Sequence, residues 1–223
     1  MLTGNDVDKG TGAIKRPITL GNCYELPYDP SSLNWSSADK ALYTRNGGVN
    51  QKYLQEKIAA LEGTQDSVVL ASGVAALSGV FFTFLKSGDH VVTSKVTYIA
   101  VYRLLTEHLK NKYGIEATLV DTSDPEAVRE AIRPSTKLIH IETPGNPTIG
   151  ISDIAAIAEI AHEKGIPLSV DNTFASPYLQ RPAELGTDLT VESLTKYINR
   201  HGDALAAPCP ARKSSLTGFV PKR

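Results

Sequence analysis

The chain has 223 residues, 41% of them hydrophobic, and its 24 acidic and 23 basic side chains leave a formal net charge of −1. That length allows one large domain or two small ones, and so even a balance offers no electrostatic handle for nucleic acid or an anionic membrane. Cys23 and Cys209 are too few and too dispersed for a disulfide framework or metal knuckle, no stretch approaches a membrane-spanning length, and Met1 to Gly12 carry no signal or transit pattern, so a reducing, cytoplasmic setting is expected.

Residues 1–49 hold Pro17, Pro27 and Pro30 and little periodicity. They read as an extended arm docked on another subunit, because Leu33, Trp35, Leu42 and Tyr43 need partners. From residue 50 to 207 apolar β-type runs alternate with segments of helical period. Gln51 to Leu61 reads as a helix with Leu54, Ile58 and Leu61 on one face and Gly63 as its stop. Ser67 to Ala71 is a strand, Gly73 to Leu85 an apolar helix, His90 to Thr93 a strand, and Tyr98 to Lys110 a helix ending near Gly114. Ala117 to Val120 is a strand, after which Asp124 and Pro125 open a helix. Lys137 to Ile141 is a strand, Ser152 to Lys164 a helix capped by Ser152, and Pro167 to Val170 and Asp188 to Val191 complete the strands. Strands rich in Val, Ile and Leu without clean alternation are buried on both faces, so an α/β fold with a mostly parallel, helix-covered sheet is expected. Residues 208–223 are expected to be a tail outside the pattern.

Ligands bind such sheets at the carboxyl ends of the strands, and Ser72, Glu142, Asp171 and Ser193 all fall there. Ser72-Gly73-Val74 opens a helix whose free amides suit an anion, although a plain strand-to-helix turn uses the same residues. Ser193 and Thr195 add hydroxyls beside Lys196. Asp171 ends a hydrophobic strand, where its charge needs a facing cation; a turn aspartate is the bland alternative. Tyr98 has a ring that suits a flat heterocycle or simply a core edge, and Asn146, before Pro147, suits a phenolate oxygen or an ordinary turn. A lysine able to bind an aldehyde, hydroxyls for a phosphate and an aspartate for a ring nitrogen are what pyridoxal 5′-phosphate requires.

The runs Ser72-Gly73-Val74-Ala75, Glu142-Thr143-Pro144-Gly145-Asn146-Pro147, Asp171-Asn172-Thr173-Phe174-Ala175-Ser176-Pro177 and Ser193-Leu194-Thr195-Lys196-Tyr197 resemble the Cys/Met-metabolism enzymes that depend on this cofactor. The resemblance spans about Tyr43 to Leu205. It implies an aspartate-aminotransferase-type large domain, a homodimer or homotetramer, and trans-sulfuration chemistry: β/γ-elimination or γ-replacement on cystathionine or O-acylhomoserine-type amino acids. By matching position, Lys196 would anchor the cofactor and act as base, Asp171 would meet the ring nitrogen, and Tyr98 would stack on the ring and assist the leaving group. Asn146 would contact the ring hydroxyl, and Gly73, Val74, Ser193 and Thr195 would bind the phosphate. Tyr43 and Arg45 would reach the phosphate of a neighbouring subunit. No metal is implied.

Three departures stand out. Glu192 replaces the usual His or other residue before Ser193, and Arg200 stands where a glycine is usual, a bulky cation where flexible backbone is wanted. After Leu205 the family continues into further strands and a second domain; Ala206-Ala207-Pro208-Cys209-Pro210 instead leads to a basic tail. A frameshifted gene would produce this, and the expectation is an incomplete sheet, exposed edges and impaired turnover. An inactive cofactor-fold remnant is the alternative. Ser193-Leu194-Thr195-Lys196 also satisfies the Ser-x-x-Lys pattern of penicillin-recognising acyl-enzymes, but the Ser-Asp-Asn and Lys-Thr-Gly elements that should accompany it do not occur. No Gly-x-Gly-x-x-Gly or Walker loop follows a strand. His140 reads as a core histidine. Ala100, two positions after Tyr98, leans away from methionine γ-lyase toward synthase, sulfhydrylase or cystathionine-lyase chemistry.

Overall fold

The computed structural model describes residues 6–33 and 43–211; Trp35, Leu42 and residues 212–223 lie outside them. Helices α1 (Thr44–Gly47) and α2 (Val49–Glu62) lead into β1 (Asp66–Leu70), α3 (Gly73–Phe84) and β2 (His90–Ser94). Next come α4 (Ile99–Arg103), a π-helical segment at Leu104–Leu109, α5 (Lys110–Tyr113), β3 (Glu116–Val120), α6 (Pro125–Ala131) and β4 (Thr136–Glu142). The chain then forms α7 (Ile154–Glu163), β5 (Leu168–Asp171), α8 (Ser176–Leu179), β6 (Leu189–Val191) and β7 (Ala207–Ala211).

Local chemistry accounts for most boundaries. Gly63 and Gly114 end helices in the left-handed conformation, at φ 68° and 63°, which glycine adopts without strain. Asp124 caps α6 through the Glu126 amide, with Pro125 in the first turn. The cap expected of Ser152 belongs instead to Asp153, whose carboxylate accepts from the Ala156 amide at 3.0 Å. Ser152 is buried and hydrogen-bonded to Thr122, so its hydroxyl is already committed.

The seven strands form one sheet in the order β1-β7-β6-β5-β4-β2-β3. Strands β2 to β6 pair in parallel, and β7 runs antiparallel between β6 and β1. Strand β7 corrects the expectation of an unpatterned tail and an unfinished sheet: residues 207–211 are a buried central strand. Prolines at 208 and 210 hid it, since proline donates no hydrogen bond to a ladder and argues against a central strand. The carbonyls of Ala206 and Pro208 accept from the Leu194 and Glu192 amides, so both prolines turn their donor-less nitrogens toward β6.

Alternate strand residues feed two cores. Val91, Leu138, Leu189, Val191 and Cys209 pack with Leu77, Val80 and Phe81 of α3 on one face. Val92, Ile139, Ile141, Leu168 and Val170 pack with Ile154, Ile157 and Ala161 of α7 on the other. His140 is fully buried between Ser169 and Phe81, with its ring at 89° to the phenyl, as a core histidine should be. The described part of the arm is extended and tied to α2 by Arg16, which bonds Glu56 and lies 4.1 Å over the Tyr53 ring. Its Ile14, Ile18, Leu20 and Tyr28 are exposed.

Candidate active site

Because β7 is antiparallel to both β1 and β6, the carboxyl ends of β1, β6, β5, β4 and β2 share one edge of the sheet. A cavity of about 990 Å³ opens there. The structure brings Gly73, Val74, Tyr98, Asn146, Asp171, Ser193, Thr195 and Lys196 to its wall. Glu142, Phe174, Tyr178, Tyr197 and Arg200 join them. Tyr43 and Arg45 are not among the lining residues; Arg45 lies 5.1 Å from the Tyr43 ring, at the start of α1.

Glu142 and Asp171 are register partners at the ends of β4 and β5. The Glu142 carboxylate accepts from the Tyr98 amide at 2.6 Å, Thr97 Oγ1 at 3.1 Å and the Asn146 amide at 3.0 Å. It thereby fixes the loops that present Tyr98 and Asn146; burial raises its pKa and these three donors oppose the rise. The peptide bonds preceding Pro144 and Pro147 in this loop are both cis. Among the described residues, Thr173 is the one that donates to Asp171, its amide lying 3.0 Å from Oδ1. Burial, and then the neighbouring Glu142 carboxyl, push it up to about 7. A buried carboxyl so poorly compensated is a strong acceptor for a cation.

At the other end of the cavity Ser72 Oγ accepts from the Ala75 amide at 3.2 Å and caps α3. First-turn geometry leaves the Gly73 and Val74 amides free of helical partners. A Cβ on Gly73 would come 3.3 Å from that of Ser193, so glycine is what lets the two loops close into a cradle. Ser193 is held by its amide, which donates to Thr173 Oγ1 at 2.8 Å. The loop after it is tied by Leu194 N to Ala206 O, Lys196 N to Ser193 O and Arg200 N to Lys196 O. Arg200 itself adopts φ 64°. The left-handed geometry is therefore kept despite the missing glycine, at a cost of about 1–2 kcal/mol.

Beneath the cavity lies an arrangement that periodicity could not expose. Glu192 and Glu62 are both wholly buried. Asn172 Nδ2 donates to Glu192 Oε1 at 2.7 Å, while no described group donates to Glu192 Oε2 or to either Glu62 oxygen. Burial, and then the neighbouring Glu62 carboxyl, raise the pKa of Glu192, and burial raises that of Glu62, so both carboxyls favour their protonated forms. Asn172 also exchanges hydrogen bonds with Gln180. Thr173, Asn172 and Glu62 were not singled out from sequence: each is ordinary for its turn or helix, and only tertiary contact gives it a part.

The whole set suits a planar, phosphate-bearing aldehyde with a basic ring nitrogen. Amides and hydroxyls suit a phosphate, Lys196 lines the same cavity, and among the described residues no cation pairs with Asp171.

Comparison with known proteins agrees. The family model described as Cys/Met metabolism PLP-dependent enzyme matches residues 1–214. A canavanine gamma-lyase of Rhizobium leguminosarum bv. trifolii is 57% identical over 202 residues, covering 91% of this chain and 50% of that protein. An L-methionine gamma-lyase of Porphyromonas gingivalis is 46% identical over 208 residues, covering 92% and 52%. The crystal structure of metB from Corynebacterium glutamicum superposes with a TM-score of 0.90 at 37% identity, covering 98% of this chain and 55% of that one. The chain thus spans about half the length of the curated relatives it matches.

Proposed function

The chain belongs to the Cys/Met metabolism PLP-dependent enzyme family, and on that premise we propose that its cavity serves β/γ-elimination or γ-replacement on amino acids of the cystathionine and O-acylhomoserine type. The observation that carries this reading is the buried, under-compensated Asp171 in one cavity with Lys196 and the Gly73–Ser193 cradle. The names of the relatives weight the proposal toward γ-elimination.

Bound there, pyridoxal phosphate supplies an aldehyde for the substrate amine and a ring that accepts the electron pair left when Cα loses its proton. Everything else falls to the chain. Gly73, Val74, Ser193 and Thr195 hold the phosphate, and Asn146 meets the ring hydroxyl. Asp171 keeps a proton on the ring nitrogen, since a cation there relieves the burial of its charge. Lys196 Nζ would hold the aldehyde and would serve as the base for the Cα proton. Tyr98, on the cavity wall, would stack on the ring, and its hydroxyl would supply a proton to the γ-substituent. Tyr43 and Arg45, outside this cavity, serve the phosphate of a second copy in a homodimer or homotetramer.

Purified chain supplied with pyridoxal phosphate should release a 2-oxo acid from at least one of O-acetylhomoserine, cystathionine or methionine, and Lys196→Ala should abolish it. Equal release by wild type and Lys196→Ala would overturn the assignment.

A further inference from the structure

Three of the loops assigned above to the cofactor leave neighbouring strands, and the proposed function, on which this inference rests, needs them in fixed register. Asn146 follows β4, Asp171 ends β5 and Ser193 follows β6. Among the described residues Thr173 alone donates to the Asp171 carboxyl, so that side chain is aimed mainly by the backbone beside it. That backbone is Asn172, which is fully buried and donates its amide to the Val191 carbonyl at 2.9 Å.

The Asn172 side chain is the junction of hydrogen bonds that cross all three loops. Its Nδ2 donates to Glu192 Oε1 at 2.7 Å and to the Gln180 carbonyl at 3.0 Å, and its Oδ1 accepts from Gln180 Nε2 at 2.8 Å. Gln180 Nε2 also donates to the Thr143 carbonyl at 3.1 Å, where the Asn146 loop leaves β4. Glu192 immediately precedes Ser193, whose amide is tied to Thr173 Oγ1 at 2.8 Å. Both amide protons and the oxygen of Asn172 are therefore engaged, and the shortest of these bonds runs to Glu192. Glu192 does not line the cavity. A buried carboxyl set beside a second one is a poor way to fill space, but a sound one to satisfy a buried donor. Burial, and then the Glu62 carboxyl, favour its protonated form, so Oε1 serves as a neutral acceptor.

We propose that Glu192 is a positioning residue for the cofactor site: by accepting from Asn172 it locks the Asp171 loop to the Ser193 loop and, through Gln180, to the Asn146 loop. The test is a double-mutant cycle on affinity for pyridoxal phosphate, read by absorbance titration. Glu192→Leu, which fills the space without an acceptor, should weaken binding about tenfold. Glu192→Gln, whose amide oxygen accepts as the protonated acid does, should stay within about twofold of wild type. Asn172→Ala should weaken binding about as much as Glu192→Leu, and the double variant should lose less than about twofold beyond either, because both changes break one link. Glu62→Leu disturbs the same buried pair but leaves the Asn172 acceptor in place, and should stay within about twofold. Wild-type affinity in Glu192→Leu would overturn the proposal, as would losses that multiply in the double variant. A loss in Glu62→Leu equal to that in Glu192→Leu would also overturn it, by making the pair a packing element alone. If Glu192→Leu does not fold, Asn172→Ala carries the test from the donor side, and wild-type affinity there is equally fatal. If wild type forms no lysine-bound cofactor, the visible band is missing from the start; the cofactor reading fails first and the part of Glu192 falls with it.

Discussion

From β2 to β6 every strand is parallel and carries Val, Ile or Leu, whereas β7, wedged between β6 and β1, reads Ala-Pro-Cys-Pro-Ala. The two regions are held differently. Glu142 at the end of β4 gathers three donors and positions two loops of the site. Strand β7 presents two prolines to β6, leaving acceptors there without ladder donors, and Glu192, just past β6, is a buried carboxyl whose pKa is raised by burial and by Glu62. The site thus spans both regions: Glu142 and Asp171 lie on the well-bonded half, while Ser193 and Lys196 follow β6, beside the sheet's weaker seam along β6 and β7. Burial alone does not make a strand stabilising; its donors must also be matched.

The sharpest contrast is expected at Asp171. In the folded chain without cofactor burial lets it keep its proton up to about 7, against an ordinary value of 3.8. The folded state then binds more protons than the unfolded one between those values, so stability falls as pH rises through that window and levels off above it. Asp171→Asn should remove that slope and raise stability at pH 8 by about 3–4 kcal/mol, measured by urea denaturation across pH. The same substitution should weaken pyridoxal phosphate binding by about a hundredfold, since the amide cannot answer a ring cation. A flat pH dependence in the wild-type chain would break the account of Asp171.

A smaller effect is expected in the seam. Pro208→Val restores an amide facing β6 and should stabilise the chain by about 1 kcal/mol, even after the unfolded state regains freedom at that position. The same substitution on the well-bonded half has no counterpart, because no proline interrupts β2 to β6. The smallest perturbation is chemical. Cys209 is buried in β7 with its thiol pushed up to about 12, while Cys23 is exposed. A disulfide-exchange reagent should titrate one thiol in the native chain and two after denaturation. Two fast thiols in the native chain would mean that β7 is not seated in the sheet.

Much of the site is legible in the sequence because a parallel sheet gathers the carboxyl ends of its strands. Asp171, Ser193 and Ser72 could be placed from strand runs alone, and Asn146 and Tyr98 from the loops that follow such runs. Strand β7 was hidden because its two prolines contradict the pattern that a buried strand normally writes. The α7 cap was misassigned by one residue, since Ser152 and Asp153 are both competent and only the Thr122 contact decides between them. Glu62 looks like any helical glutamate until Glu192 is set against it. Arg200 was visible as a departure, but its left-handed backbone and place on the cavity wall required the fold.

The central claim, that Lys196 is the cofactor anchor of a working site, is tested most directly by trapping. The chain is incubated with pyridoxal phosphate, reduced with borohydride, digested and mapped by mass spectrometry. The cofactor mass should be found on the peptide containing Lys196 and nowhere else, and the absorbance at the violet edge of the visible should be absent in Lys196→Ala. Label spread over surface lysines, or none at Lys196, would contradict the account.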